Sequence, residues 1–563
     1  MTTGRIDQHK DAAVERQAPP RPDEERIARR LDEGRLRRLD GDRQAPPRPE
    51  AESVEAPARP ASGGLLERVW THRVSLVALT ATLAVVAVVQ AIGMDHAPQR
   101  VDDEGTYVAQ AWAVQHWRTL AHYTYWYDHP PLGWLLLAVW TTVTGAFSRA
   151  ATAVSAGREF TLVVQVISAG LLYGLARRLG LRRPAAIAGV LLFSLSPLAL
   201  SFHRAVYLDN LATPFLLAAF VLILSPGRRL AAHAGAGLCF AAAVLAKETS
   251  LLLLPALLWQ YWQVNDQRNR RYSLAVAASL FLLVVAVYPL AALLRGELLP
   301  GPEHVSLVDA VRFQLADRAS GGSALDPNSV NRHTIDLWLG MDPWLLAGAV
   351  VLTPAGLWIR RLRPVTVAFA ILAAMTLRPG YLPIPLVIGM LPFASLVIAG
   401  VADSAVSRAA GTPRSRRAVG AALLAGVLAV ALLAVPRWYQ RDRDLMTVDH
   451  DAPFRQAEAW INGHVPHRGR LLVDDSLWVD LVQDGYPPGQ VVWFYKLDTD
   501  RDVRARYPRG WRDFDYVVSA ATLRAFPDRL PQVAEAVRHS RPVASFGHGA
   551  DRVEIRKIQG SPV

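Results

Sequence analysis

The sequence predicts a polytopic α-helical membrane protein of about eleven transmembrane helices followed by a small extracytoplasmic α/β domain. Three observations predict it. Apolar runs of span length recur between residues 74 and 436; the stretches joining alternate runs are basic; and residues 437–563 abandon those runs for short strand and helix patterns.

The spans are read at 74–94, 159–177, 184–202, 209–226, 231–246, 249–263, 272–294, 343–360, 364–378, 381–401 and 418–436. Each is a run of roughly the 17–25 apolar residues that a helix needs to cross a bilayer. Alternate connections read RRLGLRRP (177–184), PGRRL (226–230), NDQRNRR (265–271), RRLRP (360–364) and SRAAGTPRSRR (407–417). Cytoplasmic loops collect Arg and Lys, so these loops and the N-terminus are expected inside and the others outside. The segment 131–148, PLGWLLLAVWTTVTGAFS, would invert every later loop if it spanned, and is read as a helix at the outer surface.

Residues 1–68 carry mixed charge and repeated APPRP, which predicts a disordered cytoplasmic tail. The first apolar run begins near Val74, too late for a cleavable leader. The membrane domain is then 69–436, with outer loops at 95–158 and 295–342, and the last domain is 437–563. In that domain RLLVDDSLWVDLV, QVVWFYKLD and FDYVVSA read as strands with flanking helices, and FPDRLPQVAEAVRHS as a helix.

Composition removes several classes. A chain of 563 residues that is 51% hydrophobic is too apolar for a soluble protein of this size, and its one cysteine, Cys239, excludes a disulfide framework. The net charge of +12 follows from the basic loops, so no nucleic-acid partner is read from it.

Polar residues collect at the outer ends of different spans. They are Asp102, Asp103 and Glu104 in VDDEGTY; Asp128 and His129 in YWYDHPPLGW; His203, Arg204 and Asp209 in SFHRAVYLDN; Lys247 and Glu248 in LAKETS; and Arg378 and Tyr381 in LRPGYLP. Any one charge at a helix end has a structural use as an anchor. Together, acid and base on one side suit an anionic substrate and a proton acceptor. A phosphate leaving group needs cations where charge develops, and Arg204, Lys247 and Arg378 supply them, with His203 and His129 as weaker donors. A hydroxyl acceptor needs a carboxylate to take its proton, and Asp103 is the choice. The oxygen donors Asp103, Glu104 and Asp128 leave open a divalent cation, magnesium, manganese or calcium. The aromatic run HYTYWY suits either an interfacial belt or a platform for a sugar ring.

These motifs carry a resemblance. Asp103, Glu104 and Tyr107 in DDEGTY, followed by DHPPLG, HRAVYLDN, AKE and RPGYLP, resemble the GT-C superfamily of polytopic glycosyltransferases, in particular protein O-mannosyltransferases and lipid A aminoarabinose transferases. The likeness runs over roughly residues 73–400. It implies a GT-C fold and an enzyme that moves a sugar from a polyprenyl-phosphate monosaccharide, with inversion, to an extracytoplasmic glycan, lipid or protein. By position, Asp103 becomes the base or the organiser of the phosphate, with Glu104 its companion; Lys247 and Arg378 match basic positions near the donor phosphate, and Tyr381 reaches the same group. Glu104, Tyr107, Asp128, His129 and Asp209 fall on the acceptor or sugar side. The last domain lacks a β-trefoil pattern, which implies a lipid or cell-wall acceptor over a protein. The Arg, Ala and Pro bias resembles that of actinobacteria and implies a bacterial plasma membrane and a decaprenyl-phosphate donor. A lipid-linked sugar transporter or flippase would want charges at mid-bilayer and repeated halves. A non-catalytic assembly protein would retain its function without Asp103.

Overall fold

Each of the apolar runs becomes helical, and the polar motifs fall at helix ends. The structure, a computed structural model, describes residues 65–225, 229–264, 267–301, 305–410, 414–525 and 530–559. Most of the tail expected at 1–68 therefore lies outside the described residues. The fold and its site lie within Thr71–Val563, one compact unit distinct from Met1–Trp70.

The first apolar run forms α1 (Leu65–Ala91), and the acidic motif opens α2 (Asp102–Trp117). The HPP element leads into α3 (Leu132–Thr144), which ends where Gly145 takes a left-handed conformation (φ 64°). At about 1.5 Å per residue, α3 is about 20 Å long, short of the about 30 Å of a bilayer core. It buries Trp134, Leu137 and Ala138. Next come α4 (Ala153–Arg178), α5 (Arg183–Leu195), α6 (Pro197–Arg204), α7 (Leu208–Ile223) and α8 (Arg229–Ala246).

Among the described residues, six helices are long and apolar enough to cross a membrane, or up to eight if each bent pair is one span. The expected number was about eleven, and proline accounts for part of the difference. Pro197 opens α6 after an extended Ser196, bending α5 against α6 by 61°. The expected span at 381–401 likewise becomes helical only from Leu386, because PGYLPIP supplies three prolines before it.

Side-chain contacts fix which loops share an end of the bundle. Arg182 of one basic loop and Arg361 of another both reach Asp403, at 2.7 and 2.8 Å. At the α1 C-terminus the last carbonyls have no helical partner. The buried Arg204 guanidinium supplies one, donating to Val89, Gln90 and Ile92 at 3.0, 3.1 and 2.6 Å, and to Leu445 at 2.9 Å.

The expected strands in the last domain are β1 (Leu471–Val473), β2 (Val491–Trp493) and β3 (Tyr516–Ser519), joined by β4 (Ser540–Phe546) and β5 (Val553–Ile558) in the order β2-β1-β3-β5-β4. β1 runs parallel to β2 and β3, while β5 runs antiparallel to β3 and β4. From β1 the chain enters a buried helix, α9 (Asp475–Gln483), which packs directly on α2.

That contact depends on one glycine. A Cβ on Gly105 would stand 2.1 Å from the Ser476 backbone nitrogen and 2.2 Å from the Asp475 carbonyl carbon. Backbone cannot give way as a flexible side chain does. Gly105→Ala is expected to destabilise the protein by about 1–3 kcal/mol, as overpacking does, and to expose residues 437–563 to limited proteolysis. An unchanged thermal midpoint and cleavage pattern would contradict this packing.

Candidate active site

The site is built on the first turn of α2. Val101 is extended and offers no capping side chain, so Asp102, Asp103 and Glu104 sit where free amides and the helix dipole favour negative charge. Successive helical residues point about 100° apart, which sends the three carboxylates to different neighbours.

Glu104 turns into the protein. Its Oε1 accepts from Arg158 Nε and the Val206 amide, both at 2.9 Å, and Oε2 accepts from Arg158 Nη2 at 2.8 Å. The side chains of Glu104 and Arg158 are fully buried. Where the sequence reading expects a sugar or metal ligand, the structure places a carboxylate whose two oxygens are already taken.

Asp102 faces the last domain. Burial, Asp103 and Asp474 push its pKa up to about 8. Asp474 caps α9, accepting from the Ser476 amide at 3.1 Å and its hydroxyl at 2.7 Å. Asp475 accepts from the Thr106 hydroxyl of α2 and from Tyr495 at 3.4 Å. Burial, Asp474 and Asp102 hold the Asp475 pKa well above the usual carboxylate range.

Asp103 is half-buried, and among the described residues its carboxylate takes no hydrogen bond or ion pair. Its field reaches Lys247, which is buried at the end of α8. Lys247 Nζ donates to His129 Nε2 at 3.0 Å, which leaves His129 Nδ1 to donate to Glu248, also at 3.0 Å. Asp209 and Glu248 each stand 4.0 Å from the ammonium. Burial alone would lower the Lys247 pKa, but Glu248, Asp209, Asp103 and Asp128 reverse that and raise it. Burial likewise acts to raise Glu248, yet Lys247 and His129 hold it at about 2.

The outer loops close over this group. Tyr127, in the left-handed region at φ 61°, turns the chain into Asp128 and His129. Burial raises the Asp128 pKa, opposed by His129 and Lys247. Tyr107 is buried with its ring parallel to Trp134 and 6.2 Å from His129. Tyr381 stands with Arg318 3.4 Å from its ring centroid, and burial raises its pKa while Arg318 and Lys247 act against it. Arg318 Nη1 donates to Gln314 at 2.6 Å, and Gln314 donates to the Asp128 carbonyl at 3.3 Å.

The structure thus brings together Asp103, Tyr107, Asp128, His129, Asp209, Lys247 and Tyr381. It gives the other expected residues different surroundings. Arg204, expected at the phosphate, is engaged by backbone carbonyls; His203 is buried against Phe193 with no hydrogen bond at either ring nitrogen. Arg378 is exposed and donates only to Pro379, at 3.4 Å, among the described residues. Among those residues no three His, Cys, Asp or Glu side chains converge as a metal site, and of the expected oxygen donors Glu104 is already engaged. Sequence reasoning missed Arg318, which has no motif around it.

Comparison with known proteins bears on the fold. Residues 128–291 match the family model described as dolichyl-phosphate-mannose-protein mannosyltransferase. No curated protein matches the chain in sequence. Among solved structures, ArnT from Cupriavidus metallidurans bound to undecaprenyl phosphate is 16% identical, with a TM-score of 0.54 over 85% of this chain and 97% of that one. Its apo state gives 15% and 0.53 over 86% and 98%. The Archaeoglobus fulgidus oligosaccharyltransferase, in complex with zinc and sulfate, gives 11% and 0.50 over 83% and 72%. The protein is an integral membrane protein with the GT-C fold. Its fold is similar to those of these structures over most of its length, and residues 128–291 match the mannosyltransferase family model.

The Asp102 environment has a pH consequence. A carboxyl whose folded pKa is raised stays protonated in the fold while the unfolded chain ionises, so it lowers stability as pH rises from about 4 to the folded value of about 8. The thermal midpoint of wild type is expected to fall relative to that of Asp102→Asn across this window. Parallel curves for the two proteins would contradict the placement of Asp102 against Asp103 and Asp474.

Proposed function

We propose that this chain transfers one monosaccharide from a polyprenyl-phosphate donor to a hydroxyl of an extracytoplasmic cell-envelope acceptor, with inversion, in a bacterial plasma membrane. The observation that carries the reading is an unpaired Asp103 carboxylate beside a buried Lys247 ammonium, on the end of the bundle away from the Arg182, Arg361 and Asp403 cluster.

The donor's phosphate sits against Lys247, whose charge the surrounding carboxylates maintain, and Arg318 over Tyr381 is a second cation within reach. Asp103 accepts the proton of the acceptor hydroxyl as that oxygen attacks the anomeric carbon. The bond from that carbon to the phosphate oxygen breaks, and both of its electrons leave with the polyprenyl phosphate. Lys247 meets the charge developing on that oxygen. Attack opposite the leaving group inverts the anomeric centre, and no sugar–enzyme bond forms. His129 orients Lys247, and Glu248 fixes the His129 ring. The C-terminus lies on the same side as the site, and the basic loops and N-terminus lie in the cytoplasm.

The test is transfer of radiolabelled sugar from a panel of polyprenyl-phosphate monosaccharides to cell-envelope acceptor fractions by purified protein. Asp103→Asn is expected to lower kcat by about 10²–10⁴-fold with donor binding retained, as loss of a general base does. Lys247→Met is expected to lose about 10²–10³-fold and to weaken donor binding as well. Transfer by Asp103→Asn at the wild-type rate would refute the assignment of the base.

A further inference from the structure

A cleft of about 270 Å³ opens between the first outer loop and the last domain. The loop supplies Trp117, His122 and Tyr123; the domain supplies Asp500, Asp502 and Arg506. We propose that this cleft is a saccharide-binding subsite that holds a neutral glycan acceptor while its end reaches Asp103. The proposal rests on the transferase reading and names the substrate class on its acceptor side.

The walls are fixed in advance of any ligand. The Tyr123 hydroxyl accepts from the Trp493 amide at 2.9 Å, and its ring lies 4.7 Å from the buried Lys496 ammonium. Lys496 is also boxed by Trp126 at 4.5 Å and Trp493 at 5.2 Å, and donates to Asp500 at 3.0 Å. Asp500 in turn accepts from the amides of Asp502 and Val503 at 2.9 and 3.2 Å. Trp117 is 37% exposed while its ring is held edge-on to Trp112 and Trp478, which leaves an indole surface available without mobility. Groups held this way lose little freedom when a ligand arrives.

The chemistry selects the ligand. Aromatic faces accept the weakly positive C–H surface of a sugar ring. Carboxylate, guanidinium and imidazole together supply both acceptors and donors for hydroxyls. Two acids beside one arginine disfavour a polyanion, and the charged groups interleaved with Trp117, Tyr123, Pro488 and Val503 disfavour a lipid tail. The volume lies just below the about 300–1,000 Å³ of ordinary small-molecule pockets, which suits a few residues of a chain passing through.

A chain of contacts joins the cleft walls to α2. Tyr123 touches Trp493, Trp493 lies 6.1 Å from Tyr495, and Tyr495 bonds Asp475, which bonds Thr106 on α2. Thr106 stands one helical turn after Asp103. Tyr123 and Trp126 of the run HYTYWY pack on Trp493 and Lys496 of the last domain, whereas Tyr125 and Tyr127 turn towards Tyr288.

The test measures equilibrium binding to the full chain in lipid nanodiscs. The probes are α-1,6-mannotetraose, α-1,5-arabinotetraose, tetragalacturonate, a Ser/Thr-rich peptide and undecaprenyl phosphate. At least one neutral tetrasaccharide is expected to bind, tetragalacturonate at least tenfold more weakly. Trp117→Ala and Asp502→Ala are each expected to weaken that binding tenfold or more while undecaprenyl phosphate binds as in wild type. Arg506→Gln, on an exposed side chain, replaces Trp117→Ala if that variant does not fold. The proposal is overturned if no neutral tetrasaccharide binds, if the variants bind as wild type does, or if the peptide or the polyanion binds better. Failure of undecaprenyl phosphate alone to bind would count against the donor reading and leave the saccharide subsite standing.

Discussion

Everything at the outer end of the molecule hangs on Arg158. Its guanidinium is wholly buried, and an unpaired charge there would cost several kcal/mol. It is matched by Glu104 from α2 and by Asp451 at 3.2 Å, and it donates to the carbonyls of Met94 and Pro98 at 3.0 and 2.8 Å. Asp451 also binds Arg100, which reaches Asp480 of α9 at 3.4 Å, and Asp480 accepts from the first amide of α4 at 2.7 Å. Satisfying all five charges at once requires the first outer loop, α4 and the last domain together. A buried network of this kind specifies an arrangement more than it adds stability.

The network explains why three acids follow one another in DDEGTY. Glu104 is the anchor, and Gly105 beside it lets the backbone of α9 approach. With Glu104 held by Arg158, helical geometry leaves Asp102 towards Asp474 and Asp103 towards Lys247. The repulsion among these acids is managed by protonation as much as by pairing. Asp102 is pushed towards its neutral form by burial, Asp103 and Asp474, and Asp475 by burial, Asp474 and Asp102, while burial raises Asp128.

The apolar runs and the basic loops could be read because membrane partition acts on composition over a whole span, and that signal is local. The strands of the last domain were legible for a related reason: short apolar triplets such as LLV and VVW are bounded by turn residues. Motif residues at helix ends were located, and Asp103, His129 and Lys247 do converge. What escaped was partnership. Arg158 sits at the edge of a run read as beginning at 159, and nothing local says that it pairs with Glu104. Arg204 looks like a phosphate ligand because sequence shows a charge and not the carbonyls that surround it. Arg318 becomes visible only once its loop folds over Tyr381.

The same limit applies to the last domain, which sequence treats as an appendage. Its helix α9 packs on the catalytic helix through a glycine, its Asp480 meets the first amide of α4, and its Asp451 completes the charge on Arg158. A domain joined only by a linker would be free to move, and an acceptor bound to it would approach Asp103 from many directions. Here the domain and α2 share one backbone contact and one ionic network, so a group held by the domain stands at a fixed distance from Asp103.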